Sequence, residues 1–223
     1  MTVLNMLFDS IEDIFKAILN HPFLKELSEG SLNEEVFREY IIQDYIYLTN
    51  YSKALSLLSS KMPKDEWQKT FIEDAIGVYE VEKAMQESFF SFWNIDRKKL
   101  EEVRPNQVTL AYSNHLISTI VLEDYPIGIS SVLPCYWIYL EVGKKLAEES
   151  SPNPLYKKWI ETYSINIKYE NIVNRILKIA EETFSELDEK ALKKVKRTFR
   201  LSTIYEYMFF DAVYKRNDFP FEF

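Results

Sequence analysis

Apolar residues recur along this chain at spacings of three and four over long stretches, and period-two alternation is scarce, so the pattern predicts helices almost throughout. Ser31-Leu32-Asn33-Glu34 fits a capping box and predicts a helix from there to about Ser60. Pro63 and Asp65 open another, to about Trp93. Later helices are expected to begin near Pro105, Pro126, Pro154, Asn166 and Leu187, after an opening helix over residues 3–19. Short polar or proline-bearing joints separate them, which favours antiparallel neighbours. No linker, internal repeat or low-complexity segment divides the chain, so residues 1–223 are read as a single all-α domain.

Composition narrows the functions that such a bundle could serve. The 223 residues are 47% hydrophobic and 28% charged, the balance of a protein that buries its own core. Only four glycines occur, none in a phosphate-cradling loop after a strand-like run, which argues against a nucleotide-binding sheet. A formal net charge of −8 repels nucleic acid and anionic membrane surfaces. Lys193-Lys194-Val195-Lys196-Arg197 is the local exception, and it follows an acidic run on a helical pattern, as a solvated face does. There is neither a basic leader with a long apolar run nor a stretch of about 18 uncharged apolar residues, so a cytoplasmic location is expected. The aromatic tail from Phe219 to Phe223 is expected to pack on the body or on a neighbouring subunit.

Candidate chemistry begins with Cys135, the sole cysteine, in Leu133-Pro134-Cys135-Tyr136-Trp137-Ile138-Tyr139. It has no internal disulfide partner, which leaves a buried apolar group or a nucleophile. Tyr139 stands one helical turn away on the same face. Pro134 offers no amide to the Ser130 carbonyl, so the helix is expected to start or kink there. A restart would put the thiol in a first turn, whose amides favour thiolate. Asp44, Tyr47 and Tyr51 share a helix face with Ile41, Leu48 and Leu55. A carboxylate on that stripe either points out at its edge or is buried with a partner. Glu206 lies in Ile204-Tyr205-Glu206-Tyr207-Met208-Phe209-Phe210, apolar on every side, so a buried helix and an upward-shifted carboxyl pKa are expected. His21 and His115 stand in no metal-ligand spacing, and His21 before Pro22 reads as a helix end.

These residues also carry a resemblance. Leu133 to Gly143 resembles the signature of the TenA family, also called thiaminase II. The likeness extends in order and approximate spacing through His21-Pro22-Phe23, Gly30-Ser31-Leu32, Phe37, Gln43-Asp44, Tyr47-Leu48, Tyr79-Glu80, Ala111-Tyr112-Ser113, Lys158-Trp159-Ile160, Tyr163 and Tyr205-Glu206-Tyr207. The resemblance implies a haem oxygenase-like helical bundle without haem, no cofactor, and a homotetramer. It implies hydrolysis of 4-amino-5-aminomethyl-2-methylpyrimidine to the hydroxymethyl compound and ammonia in thiamin salvage, with thiamin cleavage as a slower side activity. It further implies Cys135 as nucleophile, Glu206 as acid and base, and Asp44 as the group that binds and protonates the pyrimidine. Tyr47, Tyr112, Tyr139, Tyr163 and Phe209 would form the pocket wall. A cysteine at this position belongs to one of the family's two branches. Ser164-Ile165-Asn166-Ile167 departs from the usual small-acidic-aromatic pattern after Tyr163 and bears on the hydrogen bonding around that tyrosine. The rival expectation is a non-catalytic pyrimidine-binding or regulatory protein on the same scaffold; a weaker one is haem binding through His21.

Overall fold

A computed structural model of the chain describes residues 2–78, 83–149 and 151–221, without the side chains of Ala84, Arg97, Lys99 and Glu101. Every regular element among them is a helix: α1 (Val3–Asp9), α2 (Glu12–Leu19), α3 (Pro22–Glu29), α4 (Glu34–Ser59), α5 (Asp65–Gly77), α6 (Lys83–Phe92), α7 (Arg97–Glu102), α8 (Gln107–Leu122), α9 (Tyr125–Ala147), α10 (Pro154–Ser164), α11 (Ile167–Ser185) and α12 (Glu189–Lys215). None of the described helices is long and apolar enough to cross a membrane.

The starts follow the polar punctuation. Side chains of Asn106, Asn153, Asn166 and Asp188 accept backbone amides at the heads of α8, α10, α11 and α12. Each such cap contributes about 1 kcal/mol. At α4 the cap is Asn33, whose Oδ1 accepts the Glu35 amide over 2.8 Å, and not Ser31. The amides of Ser31 and Leu32 both donate to the Glu26 carbonyl, so Ser31 is already committed to closing α3. That helix starts with Pro22 and ends at Gly30, at φ +78°, a left-handed position that glycine occupies without strain.

The expected opening helix is two. The chain turns at Ser10 and Ile11, where the Ser10 carbonyl accepts from Arg200 of α12 and the same guanidinium grips Asp13. A long-range cation thus stabilises a break that local periodicity does not show. The segment expected to run from Pro63 to Trp93 is α5 and α6, with its midpoint, 79–82, outside the described residues. The basic cluster lies on the outer face of α12, with Lys193 paired to Glu189 and Lys194 to Glu123, while Val195 is buried. In the tail, Phe221 is exposed and the last two residues are outside the described set.

Helix α9 is the axis of the molecule, packed against α4, α8, α10, α11 and α12. It runs unbroken through Pro134, so Cys135 does not sit in a new first turn. Hydroxyls from neighbouring helices hold the backbone on either side of the proline: Tyr51 donates to the Val132 carbonyl over 3.0 Å and Tyr169 to the Tyr136 carbonyl over 3.0 Å. Two turns on, a Cβ at Gly143 would come within 2.8 Å of the Tyr163 carbonyl carbon and Cβ. The missing side chain lets α10 bring Tyr163 against α9.

Replacing Gly143 by Ala improves helix propensity by about 1 kcal/mol but forces α9 and α10 apart, at about 1–3 kcal/mol for overpacking. The expected net result is a lower urea midpoint at an unchanged m value. A raised midpoint would show that the contact is not tight.

Candidate active site

The long helices bring the sequence-predicted side chains into one aromatic interior. Asp44, Tyr47 and Tyr51 are all buried on the inner face of α4, so the carboxyl is not at an outward edge. Gln86 of α6 donates Nε2–H to Asp44 Oδ2 over 2.7 Å. Burial in this apolar setting raises the Asp44 pKa to about 7, against the lowering effect of the Gln86 bond. Glu206 on α12 is 1% exposed, and its Oε1 accepts the Tyr112 hydroxyl over 2.7 Å. Desolvation raises it to about 8. Its helix is not buried all round, however, because Met208, two residues on and on the opposite side, is exposed. Both carboxyls can therefore hold a proton near neutral pH.

Cys135 is half-buried and lies where two cavities meet. The inner one, with room for about one water, is lined by Asp44, Leu48, Cys135, Tyr139, Tyr163 and Tyr169. The outer one, about 50 Å³, has Cys135, Tyr163 and Tyr169 in common with it and is also lined by Tyr51, Tyr136 and Ile172. Tyr40 donates to the Tyr139 hydroxyl over 3.2 Å, and the Tyr139 and Tyr163 rings stand 5.1 Å apart. Burial raises the Tyr40, Tyr47, Tyr112 and Tyr139 pKa values well above the ordinary phenol range, so all four remain neutral. Glu206, Tyr47, Tyr112 and Phe209 do not line the inner chamber. They form a packed layer beside it, with the Tyr47 ring 4.9 Å from Tyr112 and 5.7 Å from Phe209. Tyr79 and Glu80 lie outside the described residues.

After Tyr163, which remains buried, Ile165 and Ile167 are exposed and Asn166 caps α11, while the Ser164 hydroxyl is buried without a hydrogen-bond partner among the described residues. His21 caps α3, its Nδ1 accepting the Phe23 amide and its Nε2 pairing with Asp211 over 3.3 Å. Both ring nitrogens are engaged, which leaves no lone pair for a haem iron. His115 pairs with Ser202 over 3.0 Å and packs on Tyr205.

Sequence reasoning passed over three groups here. Asp74 lines the outer cavity, accepts from Arg175 over 2.7 Å and from Tyr136 over 3.1 Å, and is raised to about 6 by burial. It follows Trp67, Thr70 and Phe71 on one buried stripe, the same signal that singled out Asp44. Tyr169 and Gln86 had no comparable signal, since their importance comes from which helix they face.

Residues 8–216 match the model of the TENA/THI-4/PQQC family. The chain is 30% identical to the aminopyrimidine aminohydrolase of Bacillus subtilis (strain 168), over 88% of this chain and 83% of that protein. Among solved structures it superimposes on a TenA homologue from P. horikoshii OT3 with a TM-score of 0.88 and 25% identity, covering 96% of this chain and 99% of that one. A Shewanella denitrificans OS217 domain described as having a haem oxygenase-like fold superimposes with a TM-score of 0.74 at 16% identity, covering 96% of this chain and 92% of that one, and shows the fold alone. The fold is thus all-α and of the haem oxygenase type.

The two raised carboxyls predict a pH dependence of stability. Between the ordinary carboxylate range and their folded values of about 7 and 8, the folded protein binds more protons than the unfolded chain. Stability is therefore fully present below about pH 4 as far as these groups are concerned, and falls as pH rises through 7 and 8. Each contributes a slope approaching about 1.4 kcal/mol per pH unit. Urea titrations from pH 5 to 9 should show the decline, and Asp44→Asn and Glu206→Gln should each flatten it. A flat wild-type profile would mean that neither carboxyl is raised in the folded protein.

Proposed function

The chain belongs to the TENA/THI-4/PQQC family, and we propose that it is an aminopyrimidine aminohydrolase of thiamin salvage. Its substrate is 4-amino-5-aminomethyl-2-methylpyrimidine, which it converts to the 5-hydroxymethyl compound and ammonia through an adduct on Cys135. The observation that carries this reading is that one small chamber presents a thiol and a carboxyl of pKa about 7 to the same contents. The B. subtilis relative bears the name of this activity.

The side chains divide the work as follows. Asp44 donates its proton toward a ring nitrogen, and the ring becomes electron-poor. The Cys135 thiolate adds to a ring carbon and breaks aromaticity. The C–N bond at the 5-methylene then opens, and the amine leaves with a proton from Glu206. Water adds at the exocyclic carbon and gives a proton back to Glu206, and loss of the thiolate restores the ring. One hard displacement becomes several easier steps. Tyr139 and Tyr163 hold the flat ring in register, while Tyr47, Tyr112 and Phe209 keep Glu206 dry and neutral. In thiamin cleavage the larger leaving group would extend into the outer cavity. The protein acts as a homotetramer in this reading, and the exposed Leu122, Ile165, Ile167 and Met208 supply apolar surface for assembly.

Cys135→Ser should retain the fold and lose ammonia release by more than about a thousandfold, and trapped wild-type enzyme should show a pyrimidine-sized mass increase on the peptide containing Cys135. Ordinary turnover in that variant would sink the covalent route. Glu206→Gln should lower kcat by roughly 10²–10⁴ with little change in pyrimidine binding. Tight binding of the pyrimidine by wild-type protein with no ammonia released would instead favour the non-catalytic rival.

A further inference from the structure

Among the described residues Asp44 has one hydrogen-bond partner, and the chemistry of that partner determines where its proton can sit. Gln86 is fully buried, its Nε2–H reaches Asp44 Oδ2 over 2.7 Å, and its own Oε1 has no hydrogen-bond partner. Among the described residues Asp44 Oδ1 accepts no hydrogen bond, while Asp44 lines the chamber beside Cys135. An acid proton on Oδ2 would face the amide N–H head to head, donor against donor. On Oδ1 it meets no such opposition.

Turning the amide over would let Oε1 accept from an Oδ2–H and point the proton away from the chamber. That arrangement would move the amide's two donors to the place where Oε1 now finds no partner. Orphaned buried N–H groups are rarer and more costly than an under-satisfied carbonyl. The buried environment therefore selects the orientation seen, with the carbonyl left unsatisfied and the donor spent on Oδ2.

We propose that Gln86 is a positioning residue that assigns the proton of Asp44 to Oδ1, the oxygen left for the ring nitrogen of the substrate. The assignment rests on the aminopyrimidine reading of the chamber, and deepens it. Gln86 itself does not line the chamber and acts only through the carboxyl it holds. Without it the proton has two sites of similar energy, one of them turned away from the ring. The anion also loses its donor, so Asp44 should ionise at higher pH.

The test uses Gln86→Met, which removes the donor at similar volume, and Gln86→Glu, which keeps the shape and replaces the donor with an acid that shares a proton with Asp44. Without any ligand, urea stability from pH 5 to 9 in wild type and in Asp44→Asn identifies the part of the profile that belongs to Asp44. That part should move upward by about half a pH unit or more in Gln86→Met, and further in Gln86→Glu. With the aminomethylpyrimidine as probe, the Asp44 limb of the kcat/KM profile should move in the same direction, and kcat/KM at pH 7 should fall about tenfold. Unmoved limbs in both variants, with stability alone lowered, would overturn the proposal and leave Gln86 a packing residue. Shifted stability profiles in a protein that neither binds nor turns over the pyrimidine would support the proton placement and overturn the substrate.

Discussion

Desolvation of two carboxyl groups is the constraint on which the interior of this protein depends. An ionised carboxylate in an apolar medium is so unfavourable that it takes a proton instead unless several donors surround it. Asp44 and Glu206 each receive one strong donor, from Gln86 and from Tyr112. One donor orients a carboxyl without making it acidic. A second donor, or a guanidinium, would pull the pKa back down. Asp74 shows the comparison within the same molecule: there Arg175 and Tyr136 both bind the carboxyl, and the upward shift stops at about 6.

Keeping these groups dry requires close packing around α9, and that helix is built with a defect and a gap. Pro134 deletes an amide one residue before the thiol, and hydroxyls of Tyr51 and Tyr169 reach carbonyls on either side of it. Gly143 deletes a side chain and admits the backbone of α10. The first places the thiol on a helix whose backbone is held from outside by phenols. The second sets Tyr163 against the chamber. Helix packing and site geometry are therefore one problem here, since a shift of α9 would move the nucleophile, its neighbouring phenols and the chamber wall together.

Much of this is legible in the amino-acid order, for reasons that can be named. Helix starts at Asn106, Asn153 and Asn166 are local events, governed by a side chain and the amides two or three residues on, so sequence finds them. The break at Ser10 is not local: it depends on Arg200, some 190 positions away. Ser31 misleads because its amide is already in use by the preceding helix, a competition invisible to a four-residue motif. In the site, Asp44 and Glu206 announce themselves as carboxyls on apolar stripes. The same pattern was present for Asp74 and could have been read. Gln86 could not, because a lone glutamine near aromatic residues acquires meaning only when α6 is laid against α4.

The two acids ionise as a coupled pair. Burial raises both carboxyls, Asp44 to about 7 and Glu206 to about 8, and a charge on either one helps to keep the other protonated. The pair titrates as a unit, and its singly charged form occupies the neutral range. The proposed reaction makes two proton demands that differ in timing: a hydrogen bond to the ring at the start, and a full proton to the departing amine later. A pair that resists double ionisation always retains a proton for the second demand, even when the first has already been met. The layer of neutral phenols around both groups preserves this by adding donors and no charge. Placing a cation in that layer would lower both pKa values together, and the pair would then reach neutral pH with no proton held back.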